Sequence, residues 1–334
     1  MTIACIGAGI AGLSAARQLE ANGHDVRLFD KGRGAGGRLS TRRANTPVGE
    51  VRFDHGAQFF TARSDGFRAL VDTLITEGAL ARWTPETVKL SIAGDDWAAA
   101  PSGSGLFGDA RYVGTPAMNS VIKALCEGQD VVWGERATTI EPRSDGVHIQ
   151  LEPSGWAGPF ETVIVAVPAE QAAELLQSVC PALAEEAKSA TTAPCWSAML
   201  AFARPVDVDW DAGEVESGPL GWIARNSSKP GRDSVETWVL QATPEWSREN
   251  LSASADEIAA VLMASFREMT GAPAPDHAAA HRWLLARTET PAGSPFGWDE
   301  AARIATVGDW RIAPRVEAAW ESGTALASFL GVRI

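Results

Sequence analysis

One tyrosine, five lysines and four cysteines occur in the 334 residues, and each scarcity closes off a class of function. Cys5, Cys126, Cys180 and Cys195 are widely spaced with no C-x-x-C pair, so neither a disulfide framework nor a zinc ribbon is expected. They read as reduced thiols of a cytoplasmic protein. No run of about 18 uncharged apolar residues is present, which leaves no expected membrane span. A signal peptide is not expected either, because an apolar strand begins at Ile3 and breaks at Gly7. Positive charge is in deficit. A net charge of −13 gives no basic face for nucleic acid or an anionic membrane, although local arginines can still hold a small anion. His277 and His281 have the spacing of a zinc-binding H-E-x-x-H helix, but Ala278 replaces the glutamate and Pro275 lies just upstream, so no metal site is expected.

What is present is a chain with 45% hydrophobic residues, enough for a large core in one or two domains, and 13 tryptophans that suit core packing or a cleft for a flat aromatic substrate. Its first thirty residues carry the strongest signal. The run Ile3 to Ile6 breaks into Gly7, Ala8, Gly9, Ile10, Ala11, Gly12, which is G-x-G-x-x-G. A helical pattern through Leu13, Ala16 and Leu19 closes at Asn22 and Gly23, and a second strand, Val26 to Phe29, ends at Asp30. Gly7 permits the tight turn, Gly9 lets backbone approach a pyrophosphate, and Gly12 lets helix pack on sheet. Asp30, eighteen positions after Gly12, stands where a carboxylate takes ribose hydroxyls. This stretch alone leaves NAD and FAD both open.

Next comes Lys31 to Arg43, a Gly and Arg tract in which Gly36, Gly37 and Arg38 can close a second wall around the pyrophosphate. Phe53 to Phe60 reads F-D-H-G-A-Q-F-F. With the fingerprint and G-G-R-L-S-T, this resembles the flavin-containing amine oxidase superfamily, and the D-x-G-A-Q form is most similar to its renalase branch. Gly221 to Pro230, His281 to Arg287, Gly308 to Trp310 and Arg315 to Gly323 resemble bacterial renalases. The resemblance implies that Asp309, coming off the strand Ile304 to Val307 with Gly308, binds the ribityl chain of FAD. It also implies that the helix start at Val316 faces the flavin, and that Ala11, Lys31, Ala57, Gln58, Ala137 and Arg315 join the cofactor-binding set. A second cofactor contact so distant in sequence favours FAD over NAD. No cysteine follows Cys195, so the FAD is expected to be noncovalent.

The expected fold class is α/β: a doubly wound, Rossmann-like FAD-binding domain with an inserted α+β substrate domain on a mostly antiparallel sheet. The first is expected from residues 1–60, 108–170 and 290–334, the second from 61–107 and 171–289. Helices are expected over Ser64 to Glu77, Pro116 to Cys126, Ala169 to Leu176, Ala255 to Met269 and Arg315 to Phe329, and a loop near Pro101 to Gly108. For the substrate, Gln58 near the flavin, the donors Arg225 and Asn226, and His281 and Trp283, which alternate with Arg287 on one strand face, are the candidates. Arg225 has a structural alternative, a pair with Asp233 or Glu236.

By resemblance, the enzyme is expected to oxidise isomeric dihydronicotinamides, the 2-dihydro and 6-dihydro forms of NAD(P), to NAD(P)+. Hydride goes to flavin N5 and electrons to O2, giving H2O2. Aromatisation drives that step, so it needs positioning more than acid–base help. The alternatives are an amine oxidase or desaturase of a small hydrophobic metabolite, and a noncatalytic flavin-binding module. Tyr112 is the sole tyrosine, so a tyrosine cage for a neutral amine cannot be built.

Overall fold

A strand buried on both faces must be apolar without alternation, and Thr2–Ile6 and Thr162–Val165 meet that condition side by side. In the computed structural model of the chain, which describes residues 1–93, 96–102 and 110–333, they form the centre of a six-stranded sheet. The strand order is Gly297–Asp299, Ile304–Thr306, Thr162–Val165, Thr2–Ile6, Asp25–Asp30, Asp130–Trp133. All neighbours are parallel except the first pair, so the carboxyl ends of five strands lie along one edge.

Ile10–Ala21 and Val316–Arg333 pack on one face through Leu13, Leu19, Leu326 and Leu330. A helix Asp65–Thr76, capped by Ser64 Oγ, joins the same core with Phe67, Val71 and Leu74. The other face is covered by Ala169–Leu176, Pro181–Ser189 and a meander of Arg136–Arg143, Gly146–Glu152 and Gly155–Phe160. Residues 171–190 and 65–76 therefore pack with the nucleotide sheet, whereas the sequence placed them in the substrate part. An amphipathic helix shows which side is apolar but not which sheet it will cover.

The second sheet has seven strands in the order His277–Thr290, Thr191–Phe202, Glu236–Ala242, Leu220–Arg225, Ala212–Val215, Thr87–Ala93, Asp96–Pro101. Only the pairing of Ala212–Val215 with Thr87–Ala93 is parallel. The helix Ala255–Thr270 buries Ile258, Leu262 and Phe266 against it, started by a Ser254–Glu257 capping box and stopped by Gly271 at φ +67°. The fold class is thus the expected one.

Local departures have local causes. The helix expected from Pro116 starts only at Ser120, and ahead of it the Met118 N–H donates to the Asp54 carboxylate at 3.0 Å. Within the Gly and Arg tract, Gly37–Leu39 is a 3₁₀ turn, and Arg42–Thr46 pairs with Gly49–Phe53. Most of the loop expected near Pro101 to Gly108 lies outside the described residues. Among those described, no helix is long and apolar enough to cross a membrane.

Candidate active site

The strand ends open onto a cleft, where a doubly wound sheet leaves its ligand crevice. It has two compartments of about 600 Å³ each, which share Gly9, Arg38, Ala166 and Val167 as a waist. Gly7 turns the chain off the first strand at φ +108°, and a side chain there would meet the Ala166 carbonyl oxygen at 2.6 Å. The helix that follows has Gly9 as its N-cap and no capping side chain. Its first-turn N–H groups are left for an anion at the waist.

In the second compartment, Asp30 ends its strand with both carboxylate oxygens fixed, accepting from Ala8 N at 2.8 Å and Gly32 N at 2.7 Å. Gly7, Lys31, Gly37 and Ala137 line the same space. Ala11, Ala57, Gly308, Asp309, Arg315 and Val316 line the first. Arg38 and Asp309 face each other across the waist in a two-pronged pair, Nη1 donating to Oδ2 at 2.9 Å, and Thr288 Oγ1 donates to the same oxygen at 3.1 Å. At the start of the final helix, Glu317 is buried and accepts from Ser64 N at 2.7 Å, which ties that end to the neighbouring helix. Of the residues expected to hold a cofactor, Gly12 and Gln58 alone do not reach the cleft wall. Gly12 lies beneath the turn, where a Cβ would fall inside 3.0 Å of the Gly7 carbonyl oxygen.

The expected substrate group does not meet at the cleft: Gln58 and Asn226 come together at Lys229 behind it, and His281 packs on Trp283. Arg225 and Asn226 line neither compartment. Arg225 donates to the carbonyl oxygens of Val206 and Val208 at 3.2 and 3.0 Å, pairs with Glu236 at 3.4 Å and lies over the Trp238 ring. Glu236 is one of the two carboxylates of the structural alternative. Asn226 is buried, donating to Arg52 O at 2.9 Å and accepting from Asp54 N at 3.3 Å. His281 packs edge-on against His55 and Trp283, on a strand and not on a helix as the H-x-x-x-H spacing would need. Trp283 alone of the five reaches the cleft, in the second compartment, with Nε1 donating to His55 O at 2.9 Å. Burial, then His281 and Arg42, push His55 down to about 4.

Two features escaped the sequence reading. One is a buried cluster in which the Asp54 carboxylate accepts from Arg232 Nε at 3.0 Å, Thr41 Oγ1 at 2.7 Å and Lys229 Nζ at 3.4 Å. Burial opposes ionisation of Asp54, but Lys229, Arg232 and the Met118 N–H hold it down at about 2. Burial pushes the Lys229 ammonium down to about 8 against the pull of Asp54. The signal available was scarcity: Lys229 is one of five lysines and stands inside the Gly221 to Pro230 motif. The other feature is the charge of the first compartment, whose wall carries Arg38, Arg63, Arg287 and Arg315 against Asp309 and Glu214.

Residues 5–74 match the family model of NAD(P)-binding Rossmann-like domains, and residues 78–323 match that of flavin containing amine oxidoreductases. The chain belongs to the flavin-containing amine oxidoreductase family. Its fold is similar to an Exiguobacterium sp. 255-15 protein provisionally described as a protoporphyrinogen oxidase (10% identity, TM-score 0.79, covering 100% of this chain and 99% of that one). It is also similar to cyclohexylamine oxidase from Brevibacterium oxydans IH-35A (12% identity, TM-score 0.78, 99% of each). A putrescine oxidase bound to putrescine matches as well (15% identity, TM-score 0.72, 99% of each). The family carries a flavin, and the cleft fits one. Nothing lies within 4 Å of a Cβ built on Gly9, so backbone is open to a ligand at the waist, and Leu39, Ala57, Phe59 and Phe60 supply an apolar side to the first compartment.

Proposed function

We propose that this family member holds FAD without a covalent bond and oxidises the 2-dihydro and 6-dihydro isomers of NAD(P) to NAD(P)+, as the renalase resemblance implies. In this reading Asp30 and the fingerprint hold the adenosine and pyrophosphate part, and Arg38, Asp309 and the start of the final helix hold the remainder. Bound flavin supplies the two-electron acceptor that takes hydride from the substrate and returns the pair to O2 as H2O2.

The observation that carries the substrate class is the sign of the first compartment. Beside the Arg38–Asp309 pair, Arg63, Arg287 and Arg315 stand there against Glu214, with Arg315 also 3.7 Å from Glu321, on a chain of net charge −13. Such a wall attracts a pyrophosphate-bearing substrate and repels an alkylammonium ion. No lysine or tyrosine is part of that wall. What supports a second reading, amine oxidation, is the family itself and its oxidase neighbours. We place the protein in the cytoplasm on its four unpaired thiols.

Anaerobic mixing of the flavin-loaded protein with each dihydronicotinamide isomer and with primary and secondary amines separates the readings. Rapid bleaching by the isomers alone is expected, and it should slow in Arg287→Ala when the substrate bears a pyrophosphate. Bleaching by amines with no response to the isomers would transfer the assignment to the second reading. A flavin that no donor bleaches would mean a noncatalytic flavin-binding module.

A further inference from the structure

Lys229 has a fully buried side chain, yet it lies 175 positions from the carboxylate it pairs with and touches no cleft surface. Its Nζ donates to Gln58 Oε1 at 3.1 Å, to Asn226 Oδ1 at 3.3 Å and to Asp54 Oδ2 at 3.4 Å, and it stands 5.6 Å from the centre of the Trp83 ring. Three bonds satisfy all the donors of an ammonium. They come from two ends of one turn, Asp54 and Gln58, and from the loop after Leu220–Arg225 of the other sheet.

That turn belongs to the cleft. Ala57 and Phe59, either side of Gln58, line the first compartment, and Ala57 N donates to Arg38 O at 2.9 Å. Gly56 approaches the same Arg38 carbonyl so closely that no side chain fits between them. Gln241 Nε2 on the seven-stranded sheet donates to Gly56 O at 2.7 Å. A displacement of the turn therefore moves Arg38, which stands at the waist.

We propose that Lys229 is a positioning residue for the flavin: through Gln58 and Asp54 it fixes the 54–58 turn against the second sheet, and so fixes the cleft wall and Arg38. The charged groups facing it are Asp54 from the turn and Arg232 from its own loop, with the neutral Asn226, Gln58 and Trp83 completing the shell. With one carboxylate against two cations, the cluster encloses one net positive charge behind the cofactor wall. Deprotonation removes that charge and weakens the charge-assisted bond to Gln58.

The test uses the flavin-loaded protein. In the wild type, the rate of flavin release, read by the rise of free-flavin fluorescence on dilution, should step upward between pH 7 and 9.5 while the far-ultraviolet circular dichroism stays constant. Lys229→Met should release flavin at least tenfold faster at pH 7 and show no step, with an altered visible flavin spectrum. Lys229→Arg, which cannot deprotonate in this range, should lose the step but release slowly. A wild type with no step overturns the proposal without any variant having to fold. So does a folded Lys229→Met variant with wild-type release and spectrum, or a step that persists in both variants.

Discussion

A methyl group added at Gly9 and one added at Gly12 should have opposite consequences, although the two positions are three residues apart. Gly12 is packed: a Cβ there would lie inside 3.0 Å of the Gly7 carbonyl oxygen and at 3.0 Å from Cys5 Sγ. The obstructing oxygen is backbone in the turn itself, so the turn has to move, and overpacking of this kind costs about 1 to 3 kcal/mol. Gly9 is open, with φ −84° and ψ −176°, a conformation alanine adopts freely, and nothing within 4 Å of the added carbon. In the apoprotein the gain of up to about 1 kcal/mol through the unfolded chain is offset by the poorer fit of alanine at a helix N-cap, so Gly9→Ala should be close to neutral. Its methyl would occupy space that a pyrophosphate needs, so flavin affinity should fall at least about tenfold, or 1.4 kcal/mol. Urea unfolding of the two apoproteins, with flavin titration followed by fluorescence quenching, reads both quantities. Wild-type flavin affinity in Gly9→Ala would refute the placement of the pyrophosphate at the waist, and an equal stability loss in both variants would refute the packing argument.

His55 should make stability fall in mild acid. Burial first, then His281 and Arg42, hold its pKa near 4 against 6.5 in the unfolded chain, so the unfolded state binds the proton first as pH drops from 6.5 to 4. At about 1.4 kcal/mol per unit the loss reaches about 3 kcal/mol. His55→Phe should flatten that limb in denaturation at pH 4 and 7, and an unchanged limb would place the titration elsewhere. Asp30→Ala and Asp309→Ala should each weaken flavin binding by about 1.5 to 3 kcal/mol, the worth of a hydrogen bond to a charged group, with the sheet intact by circular dichroism. Full flavin retention in both would contradict their assignment. Arg225→Ala should lower stability by about 1 to 3 kcal/mol, because it leaves Glu236 short of a partner, and should leave flavin reduction within about twofold. A tenfold slower reduction would restore Arg225 to the substrate site.

The part of the site legible in the sequence is the part that folds from neighbours. Gly7 to Asp30 carries its turn, helix stop and acid in one continuous segment, and the family motifs at 308–316 follow the carboxyl end of Ile304–Thr306 on the same edge of the sheet, so nearly every residue expected at the cofactor reaches the cleft. The substrate side depends on pairs that no local pattern encodes. Arg225 in sequence offers only a fork of donors; that Val206 and Val208 accept from it and Glu236 lies beside it as an ion-pair partner is decided by strand register. Lys229 and Gln58 are 171 positions apart, and nothing in the neighbours of either announces the other. The arginines of the first compartment come from four separate stretches of chain, so its sign is a property of the fold.

The most direct test of a flavin held without a covalent bond in this cleft is acid precipitation of the purified protein, followed by chromatography of the supernatant and a count of flavin per chain. The expected result is one FAD per chain in the supernatant and a colourless pellet. Flavin that stays with the pellet, a mononucleotide in place of FAD, or a chain that neither carries nor takes up flavin would contradict it.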